Sequence, residues 1–248
     1  MIDVRRSAER FTTQTDWLTS RHSFSFGQHY DPDNVGHAVL VAHNDDVVAP
    51  GHGYDLHPHA DLEIVTWVLA GSLVHEDSHG QSGVLMPGAV QRLSAGSGVQ
   101  HSERNDAPGA LVPTRFVQMW VRPDESGLTP SFARSRVDVR GVTALASGIP
   151  GLDAAVRIHT SGAALHVARL LSGESVVLPD APRLHVFVAR GSVDLEGAGR
   201  LSEGDAARFT AEGGRRVVGA ASDPSSDPAS DPSSSAADPS ELLVWQLP

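Results

Sequence analysis

No cysteine occurs among the 248 residues. Disulfides and thiolate metal sites are therefore excluded, and any soft-metal chemistry must rest on imidazole and carboxylate. The absence also suits a reducing compartment. No stretch approaches the roughly 20 apolar residues of a membrane span, and the opening residues, MIDVRRSAERF, hold no apolar core of the signal-peptide kind. The expected location is the cytoplasm. Clustered basic residues are missing too: with a formal net charge of -11 the protein's field repels a phosphate backbone, and direct nucleic-acid binding is not expected.

What remains is an ordinary soluble composition, 40% hydrophobic and 20% charged, in a chain long enough for one large β domain or two of about 100 residues each. Runs rich in Val, Ile, Phe and Trp (HAVLVAHNDD, LEIVTWVLAGS, TRFVQMWVRPD, ALHVARLLSGE, RLHVFVARGS) alternate with Gly, Pro, Asn and Asp. This spacing predicts many strands in a sandwich or barrel. Helical periodicity is brief, and short helices are expected only around Trp17 and near Ala144. From 221 to 241 the chain reads ASDPSSDPASDPSSSAADPSE, without a large apolar residue. Such a segment cannot bury enough surface to offset its ordering entropy and reads as a disordered loop insertion, a solvated spacer before the strand-like ending LLVWQLP.

The chain also repeats itself. TWVLAGSLVHE at 66–76 lies over VFVARGSVDLE at 186–196, an offset of 120, and PGAVQRLSAGSG from Pro87 resembles EGDAARFTAEGG from Glu203 at an offset of 116. Two copies of one β unit follow, with the change of offset taken up in a loop. The expected division is residues 1–130 and 131–248.

Two histidines one residue apart, His57 and His59, open the apolar run HPHADLEIVTWVLAG, and a second run, VQHSE, carries His101 and Glu103. Alternate residues of a strand share a face, so each pair points one way. If both faces turn into one barrel, three imidazoles and a carboxylate meet, a ligand set for a divalent transition metal with one or two positions open. The bland alternative is surface or hydrogen-bonded core histidines. In the second copy His57 and His59 correspond to Val177 and Pro179, and His101 and Glu103 to Val217 and Gly219, so every candidate ligand is gone and only the first half can do this chemistry. Asp61 and Glu63 continue the inward parity of the first strand, with Glu63 expected to orient an imidazole or approach the metal. His75 and His79 flank the turn EDSHG and read as turn or surface residues. His22 reads as core beside Phe24 and Phe26, His166 and His185 as structural residues of the second half, and His52 as a residue of the pocket mouth.

The pattern Gly51, His57-x-His59, Glu63, Gly71 resembles the first cupin motif, and Pro87-Gly88 followed by His101-x-x-x-Asn105 resembles the second with a longer middle. More narrowly, HPHADLEIVTWVLAGSLVHEDSHG followed by GAVQRLSAGSGVQHSE resembles the pirin family over roughly residues 20 to 220. The resemblance implies an all-β bicupin of two jelly-roll barrels, with one metal held in the N-terminal barrel by His57, His59, His101 and Glu103 and an empty C-terminal barrel. The chain departs from the pattern at Asp61-Leu62, where Gly-Phe is common, and in its Ser-Asp-Pro insertion.

Three histidines, one carboxylate and a divalent ion carry about +1, which one bound anionic oxygen neutralises. The resemblance further implies a quercetin 2,3-dioxygenase activity, ring cleavage of a flavonol by dioxygen with release of carbon monoxide; for that reaction Glu103 is expected to take the proton of the substrate hydroxyl. Ferrous ion is the expected metal, with nickel, copper, zinc, cobalt and manganese also accepted by such ligands. A monomer is expected. The competing reading is a metal-dependent redox or occupancy sensor that regulates a protein partner; a third is another cupin reaction on an unrelated enolisable substrate.

Overall fold

A computed structural model of the chain describes residues 1–107, 109–221 and 238–248. Its regular structure there is strand throughout, apart from one 3-10 turn at Ser7–Glu9. The helices expected around Trp17 and near Ala144 do not form: the chain bends at Trp17 into the strand Leu18–His22, and Ala144 lies within the strand Val142–Ser147. In LTSRH burial alternates from residue to residue, the period of a strand rather than a helix. No helix of the described residues is long and apolar enough to cross a membrane.

The chain divides into two compact units, one made of Arg10–Asp138 and Ala144–Ala164, the other of Met1–Glu9, Val139–Thr143 and Leu165–Pro248. This differs from a single cut near residue 130. The strand Ile2–Arg5 pairs with Ala206–Thr210, so the first residues of the chain complete the second unit.

In the N-terminal unit a large antiparallel sheet runs in the order Ser131–Arg136, Ala89–Ser94, Glu63–Ala70, Thr114–Val121, Leu40–Val48, Leu18–His22, Phe11–Gln14. A small sheet runs Gly53–His59, Val99–Arg104, Leu73–Asp77, Ser82–Leu85. The C-terminal unit repeats the small sheet strand for strand as Ser175–Val177, Arg216–Gly219, Ser192–Leu195, Gly199–Ser202. Its large sheet opens Ile2–Arg5, Ala206–Thr210, Arg183–Arg190, Ser240–Leu247, Ala164–Leu170, so Ile2–Arg5 takes the place that Ser131–Arg136 has in the first unit. The protein is an all-β bicupin. Its apolar inner faces include Leu73, Leu85, Val68 and Phe116 in the first unit and Leu184, Val186, Phe209 and Val244 in the second, each fully buried side chain worth roughly 1.5–3 kcal/mol.

One detail shows the two units to be built alike. Gly71 and Gly191 both sit at positive φ, 72° and 69°, where glycine carries no Cβ penalty. Thr114 Oγ1 accepts from the Ser72 amide at 3.1 Å and donates to the Ser72 carbonyl at 2.7 Å; Ser240 Oγ does the same for Ser192, at 3.1 and 2.7 Å. Ser240 and Glu241 were expected in the disordered insertion and are instead buried in the strand Ser240–Leu247. Residues 222–237 of that insertion lie outside the described residues.

Candidate metal centre

The strand Val99–Arg104 lies between Gly53–His59 and Leu73–Asp77, so His101 is paired on both sides, opposite His57 and opposite Asp77. Its side chain is fully buried. The pairing with Gly53–His59 slips between His101 and Glu103, whose partners are His57 and Tyr54. This is a β-bulge that places Asp55 and Leu56 together on the exposed side. Bulges re-aim side chains next to functional sites, and here Tyr54, His57 and His59 all turn inward. The imidazole rings of His57, His59 and His101 then stand 4.5 to 5.0 Å apart between centroids, with one nitrogen from each within 4.8 Å of the others. Glu103 enters through His101: its carboxylate groups with His101 and His75 by the same measure.

Hydrogen bonding decides which of these atoms can hold a cation. His57 Nδ1 lies 2.7 Å from the Asp55 carbonyl, which can only accept, so the proton is on Nδ1 and Nε2 presents a bare lone pair. His59 Nε2, both nitrogens of His101 and Glu103 Oε1 are buried without a hydrogen-bond partner. Buried polar atoms rarely stay unpaired, and this convergence of bare imidazole nitrogens and a carboxylate oxygen fits a divalent transition metal. His75 differs. Its Nδ1 accepts from Gln91 Nε2 at 3.3 Å and its Nε2 reaches Asp77 Oδ2 at 3.4 Å, so its lone pair is taken.

Burial, reinforced by neighbouring imidazoles, pushes His59 down to about 4 and His101 down to about 3. The fold therefore keeps both rings neutral, the form that ligates a metal. Because both folded values lie below the ordinary 6.5, the unfolded chain takes up protons between about pH 6.5 and 4 that the fold refuses. The two histidines outweigh the single buried carboxyl of Asp46, whose raised value of about 7 works in the opposite direction, so the metal-free protein is expected to lose stability as the pH falls through that window, with a lower urea midpoint at pH 4.5 than at pH 7.5. Equal midpoints would contradict it.

Beside His59 the surface dips into a depression of about 510 Å³ lined by Pro58, Ala60, Gly98, Val99 and Gln100. Trp120 meets the His59 ring edge-on at 4.8 Å, and Phe26 packs on Trp120 at 5.2 Å. Around His57 lies a polar corner: Tyr54 Oη donates to Asp46 Oδ2 at 3.0 Å, and the Ser20 hydroxyl also donates to Asp46. Burial pushes the Asp46 carboxyl up to about 7 against the pull of those two hydrogen bonds.

The family model described as Pirin matches residues 3–121. The chain is 50% identical over 250 residues to a Mycobacterium tuberculosis protein named "Putative quercetin 2,3-dioxygenase Rv0181c", covering 99% of this chain and 95% of that one. It is 35% identical to the quercetin 2,3-dioxygenase of Escherichia coli, covering 79% and 85%. The crystal structure of the bacterial pirin YhhW from Escherichia coli in complex with nickel(II) superimposes with a TM-score of 0.85 at 32% identity, covering 100% of this chain and 99% of that one. The chain belongs to the pirin family.

Several residues of this pirin stand elsewhere than the sequence suggests. His75, read as a turn or surface residue, is fully buried in Leu73–Asp77, stacked on Phe132 at 4.9 Å and 5.4 Å from the His101 ring; its alternation with Leu73 and Asp77 was the available signal. His79 is exposed in the turn, as expected. Asp61 and Glu63 do not continue the face of His57 and His59, because the strand ends at His59 and Asp61 turns with φ 52°. Asp61 Oδ1 accepts from the Gly127 amide, and Glu63 binds Ser94 and His159 at 2.8 and 3.0 Å. His52 stacks on Trp17, and His22 is buried in hydrogen bonds with Thr13 and Asn44. His166 and His185 are buried in the second unit.

Sequence reasoning missed Gln118. Its Nε2 donates to Glu103 Oε2 at 2.5 Å while its Oε1 accepts from Trp120 Nε1 at 3.0 Å. Since an indole nitrogen can only donate, the amide orientation is settled: one oxygen of Glu103 is held and the other left bare. Gln118→Leu is expected to cost about 10- to 100-fold in metal affinity or activity, measured by metal titration and turnover. An unchanged variant would show that Glu103 does not depend on this hydrogen bond.

Proposed function

We propose that this pirin is a metal-dependent dioxygenase that cleaves the ring of a flavonol such as quercetin with release of carbon monoxide. The observation that carries the reading is the set of bare, buried donor atoms: His59 Nε2, the His101 nitrogens and Glu103 Oε1 unpartnered, with the His57 Nε2 lone pair beside them. His57, His59, His101 and Glu103 are the ligands we assign, and ferrous ion the metal. Once bound, the metal supplies Lewis-acid activation of the substrate hydroxyl and a meeting point for the electron-rich substrate anion and dioxygen. The chain supplies the rest. Glu103, with Oε2 fixed by Gln118, takes the hydroxyl proton on Oε1. Trp120 and Phe26 form an aromatic wall beside His59.

Ferrous-loaded protein in air is expected to consume quercetin, followed by its absorbance, and to release carbon monoxide in equal amount. Absence of turnover with iron, nickel, manganese, cobalt and copper alike would remove the enzyme reading.

A further inference from the structure

The chain is poor in aromatics, with 2 tyrosines and 4 tryptophans, yet three of these six flank the His57–His59–His101 cluster. Trp120 belongs to the wall beside His59. The other two form a series on the opposite side of the bulge. Trp17, half-exposed, meets Tyr54 edge-on at 5.7 Å, and the Tyr54 ring stands 6.2 Å from that of His57. His52 stacks on the outer side of this series, against Trp17 at 6.2 Å and nearly parallel. Both Trp17 and Tyr54 are packed against the buried cluster that contains Val48 and Phe116, which holds their separations.

Without thiols, indole and phenol are the side chains that most readily give up a single electron, whereas the three methionines react with peroxide by two-electron oxygen transfer. Oxidation of a phenol at neutral pH requires that its proton leave with the electron, and Tyr54 has an acceptor placed for it: its hydroxyl donates to Asp46 Oδ2 at 3.0 Å. Asp46 is buried, 3% exposed, and lies on the core strand Leu40–Val48. The hydroxyl–carboxylate pair has no packing purpose that phenylalanine and an apolar partner would not serve at lower desolvation cost.

We propose that Trp17 and Tyr54 form an electron path from the surface to His57 that carries oxidising equivalents out of the metal position when hydrogen peroxide reaches it. This rests on the metal-binding half of the proposed function and not on the flavonol substrate. The chemistry balances with two electrons and two protons. Hydrogen peroxide takes up two electrons together with two protons from solvent and becomes two molecules of water; Tyr54 gives one electron and passes its phenolic proton to Asp46; Trp17 gives the second electron and loses its indole proton to solvent. A one-electron donor of the ascorbate class then refills each radical from the surface, and the protons return.

The test uses the full chain loaded with ferrous ion and mixed with hydrogen peroxide, read by freeze-quench electron paramagnetic resonance and by peptide mass mapping. Wild type is expected to show a phenoxyl radical that Tyr54→Phe abolishes, and oxidation of His57, His59 and His101 is expected to rise several-fold in that variant. Trp17→Phe should keep the phenoxyl signal and lengthen its lifetime. Equal histidine oxidation in wild type and Tyr54→Phe overturns the proposal, as does a phenoxyl radical that survives in Tyr54→Phe and so belongs to Tyr30, the other of the 2 tyrosines. If Tyr54→Phe loses iron, Trp17→Phe decides, and a phenoxyl lifetime unchanged from wild type overturns the path. Failure to cleave quercetin while the radical forms removes only the flavonol reading; failure to take up iron overturns both.

Discussion

Replacing His101 with alanine is expected to abolish metal retention while leaving the metal-free fold standing. His101 is the one residue common to both groupings of ligand atoms, and it sits on the central strand of the small sheet with neighbours on both sides. Loss of a ligand should exceed the roughly 10- to 100-fold cost of losing a mere support residue. The metal-free fold responds differently. Wild type buries an imidazole whose two nitrogens have no partners, a cost of about 1–3 kcal/mol. Removing the ring relieves that cost and leaves a cavity whose penalty is of similar order, so the two effects offset. Bound metal at a hundred times its Kd stabilises wild type by about 2.7 kcal/mol, and the variant should gain none. Thermal unfolding with and without ferrous ion, together with metal analysis, reads both halves. A His101→Ala protein that still carries one full equivalent of metal would contradict the assignment.

The fold was legible because both levels of pattern agree. Period-2 alternation marks the strands, and the repeat around Gly71-Ser72 and Gly191-Ser192 marks the two units, down to the clasping hydroxyls of Thr114 and Ser240. The convergence of His57, His59 and His101 was legible for the same reason: residues two apart on a strand share a face. What escaped was whatever depended on interruptions of that alternation. The bulge at Asp55 and Leu56 sets the facing of Tyr54 relative to His57, and nothing in YDLHPH marks it. Parity carried past His59 to Glu63 failed because the chain changes sheets at Asp61.

Charged and polar residues inside strands were the other blind spot. HAVLVAHNDD looks like a strand ending in turn residues, yet Leu40–Val48 runs straight through Asn44, Asp45 and Asp46, all buried. Each has a partner distant in sequence: His22 for Asn44, Arg115 for Asp45, Ser20 and Tyr54 for Asp46. A buried carboxylate is tolerated only where such partners exist, and partners so far apart in the chain cannot be read from a local window. Gln118, polar within an apolar run, escaped in the same way, although its position beside Trp120 was in plain view.

Glu103→Gln is expected to separate the two roles assigned to that carboxylate. Glutamine keeps the size of the side chain, so packing around this almost fully buried position is undisturbed. Its amide has one acceptor and one donor end. Gln118 Nε2, whose orientation is settled by Trp120, demands an acceptor, so the carbonyl oxygen turns toward Gln118 and the amide nitrogen replaces Oε1. That nitrogen neither ligates a cation nor accepts a proton. Metal affinity should therefore fall, with His57, His59 and His101 left to hold the ion. Quercetin turnover at saturating metal should fall further, by about 10²- to 10⁴-fold, the range for loss of a general base, mainly in kcat. Metal titration and steady-state kinetics on the same preparation distinguish the two losses. If turnover falls only in proportion to metal occupancy, Glu103 is a ligand and no base; if metal binds as before and only recognition of a protein partner changes, the centre works as a sensor.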